Sequence, residues 1–491
     1  MKRKISVFLS IFLLTFVVGC TNNSGNSNSS SSSPSSPSNP SISNSDGGSS
    51  SGGSSSGGSS SGGEVIPPVE CEFCNSKPAT ITYPAEEDYT PITFDESSYS
   101  KTLNATLADG VELYKVEYDL TTVSTGNHIT AYFTEVDLTK ASIVAGTANN
   151  STNPAAYTAK AKIINQVNAW KEDYPDRQVY MATNADFFGA APVNAFVKDG
   201  VILKSGHNVD YNDVPVSSPY LFGISGDQAQ IATMTKSKVQ SENVEAKLSY
   251  GLEIYNPDCS SDIYDVAIDE ITENKNGWIY QKEANVSNRT VYELTRTSLV
   301  NNFLKAHVTD IIEVTGTQSF TPSRNTTYLV VEETLEGKIQ LNTQIAVGFT
   351  KSVDGVWNYY DTIIGARHSL VEEGKLASTV SQETSNGAKS RVPRTAIGIK
   401  NDGKVIIVSI EDLEYGRKAE VNTGVNLTEL ADLMRYYGAY NAANFDGGGS
   451  TQLLVNQNNI MTVKVRSSDY GEAYFVENSR LVMNTIMVVS K

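Results

Sequence analysis

This chain of 491 residues is poor in the side chains that bind soft metals or cross-link a fold, with 4 Cys, 4 His and 3 Trp. His128, His207, His307 and His368 show no metal-ligand spacing, and Cys71 and Cys74 lack the further ligands a zinc site needs. No metal or other cofactor is expected. Basic charge is scarce as well: 38 Lys and Arg face 55 Asp and Glu, a net charge of −17. That excludes nucleic acid, or an anionic membrane surface, as a docking partner, because both need a cationic patch. The apolar run Ile5 to Val18 is also too short to cross a bilayer as a stable helix, which takes roughly 20 residues.

What the N-terminus does have is Lys2-Arg3-Lys4 ahead of that run, the pattern of a secretory signal. The run ends in Val17-Val18-Gly19-Cys20, which looks like a bacterial lipobox. Residues 1–19 are therefore expected to be removed and Cys20 lipidated, each buried acyl methylene adding about 0.8 kcal/mol of membrane affinity. Residues 20–63 are almost wholly Ser, Gly, Asn and Pro, a composition that buries nothing apolar and stays a flexible tether. The expected location is extracytoplasmic and membrane-anchored, at the cell surface or in the periplasm. Lipidation of Cys20 leaves Cys71, Cys74 and Cys259, which read as a structural disulfide or idle thiols, since no βαβ pattern surrounds the Cys71 pair.

Residues 64–110 carry Pro67, Pro68, Pro78, Pro84 and Pro91 with little periodicity and read as an irregular lead-in. From Val111 the chain reads as one domain to Lys491. Val111–Tyr118 and Ile129–Val136 alternate as half-buried strands do. Pro154 stands at an expected first helical turn, and Ala156, Ala159, Ile163, Val167 and Trp170 recur at helical spacing until Tyr174-Pro175. A short strand, Gln178–Ala182, then delivers the loop Asn184–Gly189. Residues from about 235 to 360 read as a strand-rich elaboration. Beyond them, Lys404–Ile410 is an apolar strand, and Asn426 with Glu429 forms a capping-box pattern ahead of a helix ended by Gly438. Ala442–Phe445, Gln452–Val455 and Leu481–Val489 are further strands. The fold expected is α+β: a mixed, sheet-rich single catalytic domain with few helices.

The densest chemistry lies in Asn444-Phe445-Asp446-Gly447-Gly448-Gly449-Ser450-Thr451, a carboxylate, three glycines and two hydroxyls between two apolar flanks. Such a bend lets a ligand approach the backbone, whose successive N–H groups suit an oxyanion such as phosphate. A strand-to-strand turn would use the same glycines. The run resembles the N-L-D-G-G-G-S-S hallmark of the phosphodiester glycosidase family, and other pieces agree in order. Ala182-Thr183-Asn184-Ala185-Asp186-Phe187-Phe188 is similar to V-N-G-G/D-F-F, and Pro393-Arg394-Thr395-Ala396-Ile397-Gly398 with Asp402-Gly403-Lys404 matches P-R-T-A-I-G and D-G-K. Gly416-Arg417 precedes Gly424 at the family spacing, Arg466-Ser467-Ser468-Asp469 looks like R-P-S-D, and Asn484 stands where the closing strand carries Asn. Gly365–Leu370 resembles G-G-x-P-x-L with the second glycine and the proline replaced. The resemblance spans Val111 to Lys491.

It implies cleavage of a sugar-1-phosphodiester between the anomeric carbon and oxygen, within a phosphorylated saccharide or polysaccharide. Asp446 would stand nearest the anomeric centre, with Asp186 as second acid/base or sugar ligand and Asp469 in reserve. Arg394 and Arg417 would bind phosphate in two-point geometry. Gly447, Gly448 and Gly449 amides with Ser450 and Thr451 hydroxyls would cradle the oxyanion, and Asn184, Asn444 and Asn484 would meet sugar hydroxyls. Two other readings use the same residues: a surface carbohydrate-binding lipoprotein without turnover, and a phosphodiesterase that cuts the P–O bond.

Overall fold

The computed structural model describes the chain from residue 83 onward, apart from 86, 150–158, 190–191, 205–219, 234–251, 256–264, 267–276, 281–283, 301–302, 324, 332–338, 350–356, 358, 379, 381–388, 412–423, 466 and 468–478. The expected signal and tether and all four cysteines lie outside the described residues.

The strands that read as unbroken apolar runs form the centre, because both of their faces are covered. An eight-stranded antiparallel sheet has the order Phe94–Ala108, Val111–Leu120, His128–Val136, Val405–Ile410, Arg394–Lys400, Ala439–Asn444, His368–Glu372, Lys375–Leu376. A five-stranded antiparallel sheet has the order Ile460–Val465, Leu453–Gln457, Val179–Asn184, Thr485–Ser490, Ala141–Gly146. Successive residues divide between the two faces. Ile397, Val405, Ile407, Met181, Val455, Ile486 and Val488 fill the core between the sheets, while Ala396, Ile406 and Val408 face the other way and bury helix Leu427–Tyr436. Ala182, Leu454, Met487 and Val489 likewise bury helix Ile163–Asp173 on the outer face of the smaller sheet. The layers run helix, sheet, sheet, helix, and these are the two α-helices among the described residues.

Helix Leu427–Tyr436 follows from local sequence. In the capping box, Glu429 N donates to Asn426 Oδ1 at 2.9 Å and Asn426 N donates to Glu429 Oε2 at 3.0 Å. Helix Ile163–Asp173 begins later than the spacing from Pro154 suggests. Ala161 instead exchanges two backbone hydrogen bonds with Val482, at 3.0 and 2.9 Å, and Lys162 after it is extended. Pro154 lies outside the described residues.

The lead-in needs correction too. Phe94–Ala108 is a 15-residue edge strand paired with Val111–Leu120. Most of its side chains are exposed, so it carries Ser, Thr, Lys and Asp in place of an apolar alternation. Buried Asp432 fastens the segment before it, accepting from Tyr89 Oη at 2.7 Å, Thr93 N at 2.7 Å and Thr93 Oγ1 at 2.6 Å.

The elaboration forms a seven-stranded antiparallel sheet drawn from residues 252–349. Tyr292, Leu294, Val308 and Leu329 from it pack on Val197, Leu221 and Ile363 of a second five-stranded sheet, whose order is Val201–Lys204, Phe196–Lys198, Thr362–Ala366, Tyr220–Ser225, Gln228–Thr233.

Candidate active site

The chain leaves the eight-stranded sheet at Asn444 and enters the five-stranded sheet at Leu453, so the glycine run spans the gap between them. Its backbone is tied to both sides. Phe445 N donates to Thr395 O at 2.9 Å, Asp446 N to Ala185 O at 2.9 Å, and Gly448 N to Pro393 O at 2.8 Å. The Asn184, Arg394 and Asp446 segments, far apart in sequence, therefore meet at one end of the sandwich.

Asn184 is the latch. It is 1% exposed, donates from Nδ2 to Asp446 O at 2.7 Å, and accepts at Oδ1 from Thr395 Oγ1 at 2.7 Å and Gln452 N at 3.2 Å. These bonds join three segments through its amide.

Asp446 is partly exposed, with its carboxyl beside Arg394 and Arg480. Burial holds this carboxyl above the usual carboxylate range, while the Ser450 hydroxyl, the Gly447 N–H, Arg480 and Arg394 pull it back. Gly447 N donates to Asp446 Oδ1 at 2.9 Å; the Ser450 hydroxyl favours the charged form without meeting hydrogen-bond geometry. Arg394 is 5% exposed; its Nε donates to Val425 O at 3.1 Å and its Nη2 to Ser390 O at 2.9 Å. Burial lowers its pKa to about 10, against the charges of Asp446 and Glu429, so it is a cation at neutral pH. Arg367 stands at the rim, exposed, 5.8 Å from the Phe187 ring centroid, and its N–H donates to Asn444 O at 3.1 Å.

Asp186 sits in the same cluster but deeper. Its N–H donates to Asn484 Oδ1 at 3.0 Å, and its carboxyl accepts from Asn194 N and Asn194 Nδ2, both at 3.1 Å. Burial pushes its pKa up to about 7, opposed by the Asn194 bonds and the charge of Lys204. A Cβ on Gly365 would lie 2.6 Å from Asp186 Oδ2 and 2.3 Å from Asn194 Cβ, so a glycine is required for the strand to pass this closely.

Two of the three glycine amides expected to cradle an oxyanion are already engaged. Gly447 N is spent on the Asp446 carboxyl and Gly448 N on Pro393 O, and Ser450 N and Thr451 N close the 3₁₀ turn onto Gly447 and Gly448 carbonyls. Gly448 also serves shape: it has φ +60°, with open space where a Cβ would stand. Ser450 Oγ, Thr451 Oγ1, Gln452 Oε1, Asn484 Nδ2 and both amide atoms of Asn444 are buried without a hydrogen-bond partner. Such a cluster marks unmet polar capacity around the loop.

Arg417 and Asp469 lie outside the described residues. Three contributors stand outside the sequence-derived candidates. Thr395 could have been found, since it lies within the P-R-T run; Arg480, four residues before Asn484, and Asn194, in no motif, carry no local signal.

The phosphodiester glycosidase family model matches residues 299–489. That segment holds Arg394, Asp446, Arg480 and Asn484; the structure adds Asn184 and Asp186 from outside it. No curated protein matches the sequence significantly. Among solved structures, a hypothetical protein from Synechocystis is similar in fold at TM-score 0.50 and 16% identity, over 80% of this chain and 68% of that one. The catalytic domain of zebrafish N-acetylglucosamine-1-phosphodiester alpha-N-acetylglucosaminidase, auto-inhibited by its pro-peptide, aligns at TM-score 0.38 and 12% identity, over 84% of this chain and 97% of that one. The resemblance read from the motifs is thus matched by the phosphodiester glycosidase family model over residues 299–489.

Proposed function

We propose that this protein is an extracytoplasmic hydrolase, tethered through a lipid on Cys20 and the residue 20–63 linker, that cleaves the glycosidic bond of a sugar-1-phosphodiester in an envelope or exogenous polysaccharide. The observation that carries the reading is local charge. In a chain of net charge −17, Arg394 and Arg480 act on the partly exposed carboxyl of Asp446, with Arg367 at the rim.

A phosphate monoester is a good leaving group, so the barrier lies in charge development at the anomeric carbon and on the departing oxygens. Arg394, preset by two backbone carbonyls, and Arg480 stabilise the leaving phosphate. Asp446 meets the oxocarbenium-like centre. Asp186 acts from behind: its carboxyl pins Asn194, and its backbone, through Asn484, fixes the segment that anchors Asp446 N. Asn444 and Asn484, with amide capacity unmet, remain the sugar-hydroxyl partners.

Hydrolysis of an N-acetylglucosamine-1-phosphate methyl diester in ¹⁸O-water tests this. Label in the sugar supports glycosidic cleavage. Label in the phosphate makes the protein a phosphodiesterase, and binding without release makes it a carbohydrate-binding lipoprotein.

A further inference from the structure

The Asp446 loop leaves one large feature unused. A cavity of about 430 Å³ is lined by Tyr174, Arg177, Asp199, Ser225, Tyr359 and Asp361, together with residues of strand Ala141–Gly146. It lies at the opposite end of the smaller sheet from the site above. Strand Thr485–Ser490 connects the two places: Thr485 pairs with Asn184 at one end, Val489 pairs with Ser142 at the other, and Ser490 O accepts from Arg177 Nε at 2.8 Å. Four residues of strand separate these ends by on the order of 14 Å.

The cavity falls within the range of roughly 300–1,000 Å³ common to small-ligand pockets. Its chemistry differs from that of the Asp446 loop. Asp361 is exposed and accepts from Ser225 Oγ at 3.0 Å. Asp199 is held at φ 51°, its Oδ2 at 3.4 Å from Lys198 Nζ and without a hydrogen bond, while the Tyr174 hydroxyl faces its carboxyl. Tyr174 packs on Trp170 at a tilt of 32° with centroids 4.7 Å apart, and the Arg177 guanidinium carbon lies 5.9 Å from the Tyr174 centroid. Strand Ala141–Gly146 is the edge of its sheet, so its outer side adds backbone donors and acceptors that no strand of that sheet uses.

Two carboxylates in one cleft repel phosphate, so this is no second copy of the first site. A metal is disfavoured by Lys198 and Arg177 beside the acids, and no group of three metal-ligating side chains occurs among the described residues. Carboxylates for vicinal hydroxyls, a fixed guanidinium, aromatic faces and an open backbone edge suit one ligand class. We infer that this cleft binds an unphosphorylated, hydroxyl-rich saccharide, and binds it more tightly when the sugar carries an ammonium group. It would hold a neighbouring stretch of glycan while the Asp446 loop takes the phosphodiester, yet it stands as a binding site whether or not that loop turns over.

Calorimetric titration of the full chain with a β-1,4-linked glucosamine disaccharide, and separately with cellobiose, tests this. The amino disaccharide is expected to bind more tightly than cellobiose. Asp199→Asn suits the positive φ, since Asn tolerates that region, and is expected to weaken amino-disaccharide binding at least tenfold at an unchanged unfolding midpoint; Asp361→Asn should act alike. Asp446→Asn should leave this binding unchanged. Absence of heat with either sugar up to about 10 mM, above millimolar affinity, would overturn the inference. So would wild-type affinity in both cleft variants, loss of binding in Asp446→Asn, or calcium binding that Asp199→Asn abolishes.

Discussion

Asn184→Ala separates a latch from a sugar ligand. The side chain is 1% exposed and bonds Asp446 O and Thr395 Oγ1 at 2.7 Å and Gln452 N at 3.2 Å. Truncation strands a carbonyl, a hydroxyl and an amide, each costing roughly 1–3 kcal/mol when left without a partner. Partial relaxation and water entry bring the expected loss to about 3–5 kcal/mol, large for a single substitution. Asn184→Asp keeps the acceptor but loses the donor and sets a buried carboxylate against Asp446 O, so it should be destabilised as well. Guanidinium unfolding followed by tryptophan fluorescence reads this well, because Trp170 is 1% exposed in the core beside this sheet. A loss below about 1 kcal/mol in Asn184→Ala, in the range of ordinary surface substitutions, would refute the latch. If such a variant also lost substrate affinity, Asn184 would be a sugar ligand after all.

Gly365→Ala places a methyl 2.3 Å from Asn194 Cβ and 2.6 Å from Asp186 Oδ2; overpacking of this kind costs roughly 1–3 kcal/mol, and an unchanged unfolding midpoint would contradict the geometry. Asp186 has a folded pKa raised from 3.8 to about 7, so between those values the folded state holds the extra proton. Its contribution to stability is therefore fully present below pH 3.8 and is lost as pH rises through about 7, with a slope of at most about 1.4 kcal/mol per pH unit. Asp446 shifts the same way, so the contribution of Asp186 is read as the part of the pH slope that disappears in Asp186→Asn; an unaltered slope would deny Asp186 its raised pKa.

The central strands were legible because both of their faces are buried: Val405–Ile410 alternates side chains between two different cores, which appears in sequence as an unbroken apolar run. The Asn426 capping box was legible because it is local. Phe94–Ala108 was not, since an edge strand needs no apolar period, and the bridge from Ala161 to Val482 is a long-range event that helical spacing cannot report. In the site, the motifs identified the segments that meet but not the division of labour within them. Only Ala185 separates Asn184 from Asp186, and side-chain type alone does not say that one ties Thr395 to Asp446 while the other holds Asn194. The Gly448 amide reads as an oxyanion donor because the carbonyl that consumes it, Pro393 O, comes from elsewhere in the chain.

The proposal that Asp446 faces the reacting carbon stands or falls on one rate. Hydrolysis of the N-acetylglucosamine-1-phosphate methyl diester by Asp446→Asn should drop about 10³-fold in kcat/KM, with the unfolding midpoint of the wild-type protein retained. A folded Asp446→Asn variant that turns over at the wild-type rate would take the carboxylate out of the chemistry, and with it the reading of this loop as an active site.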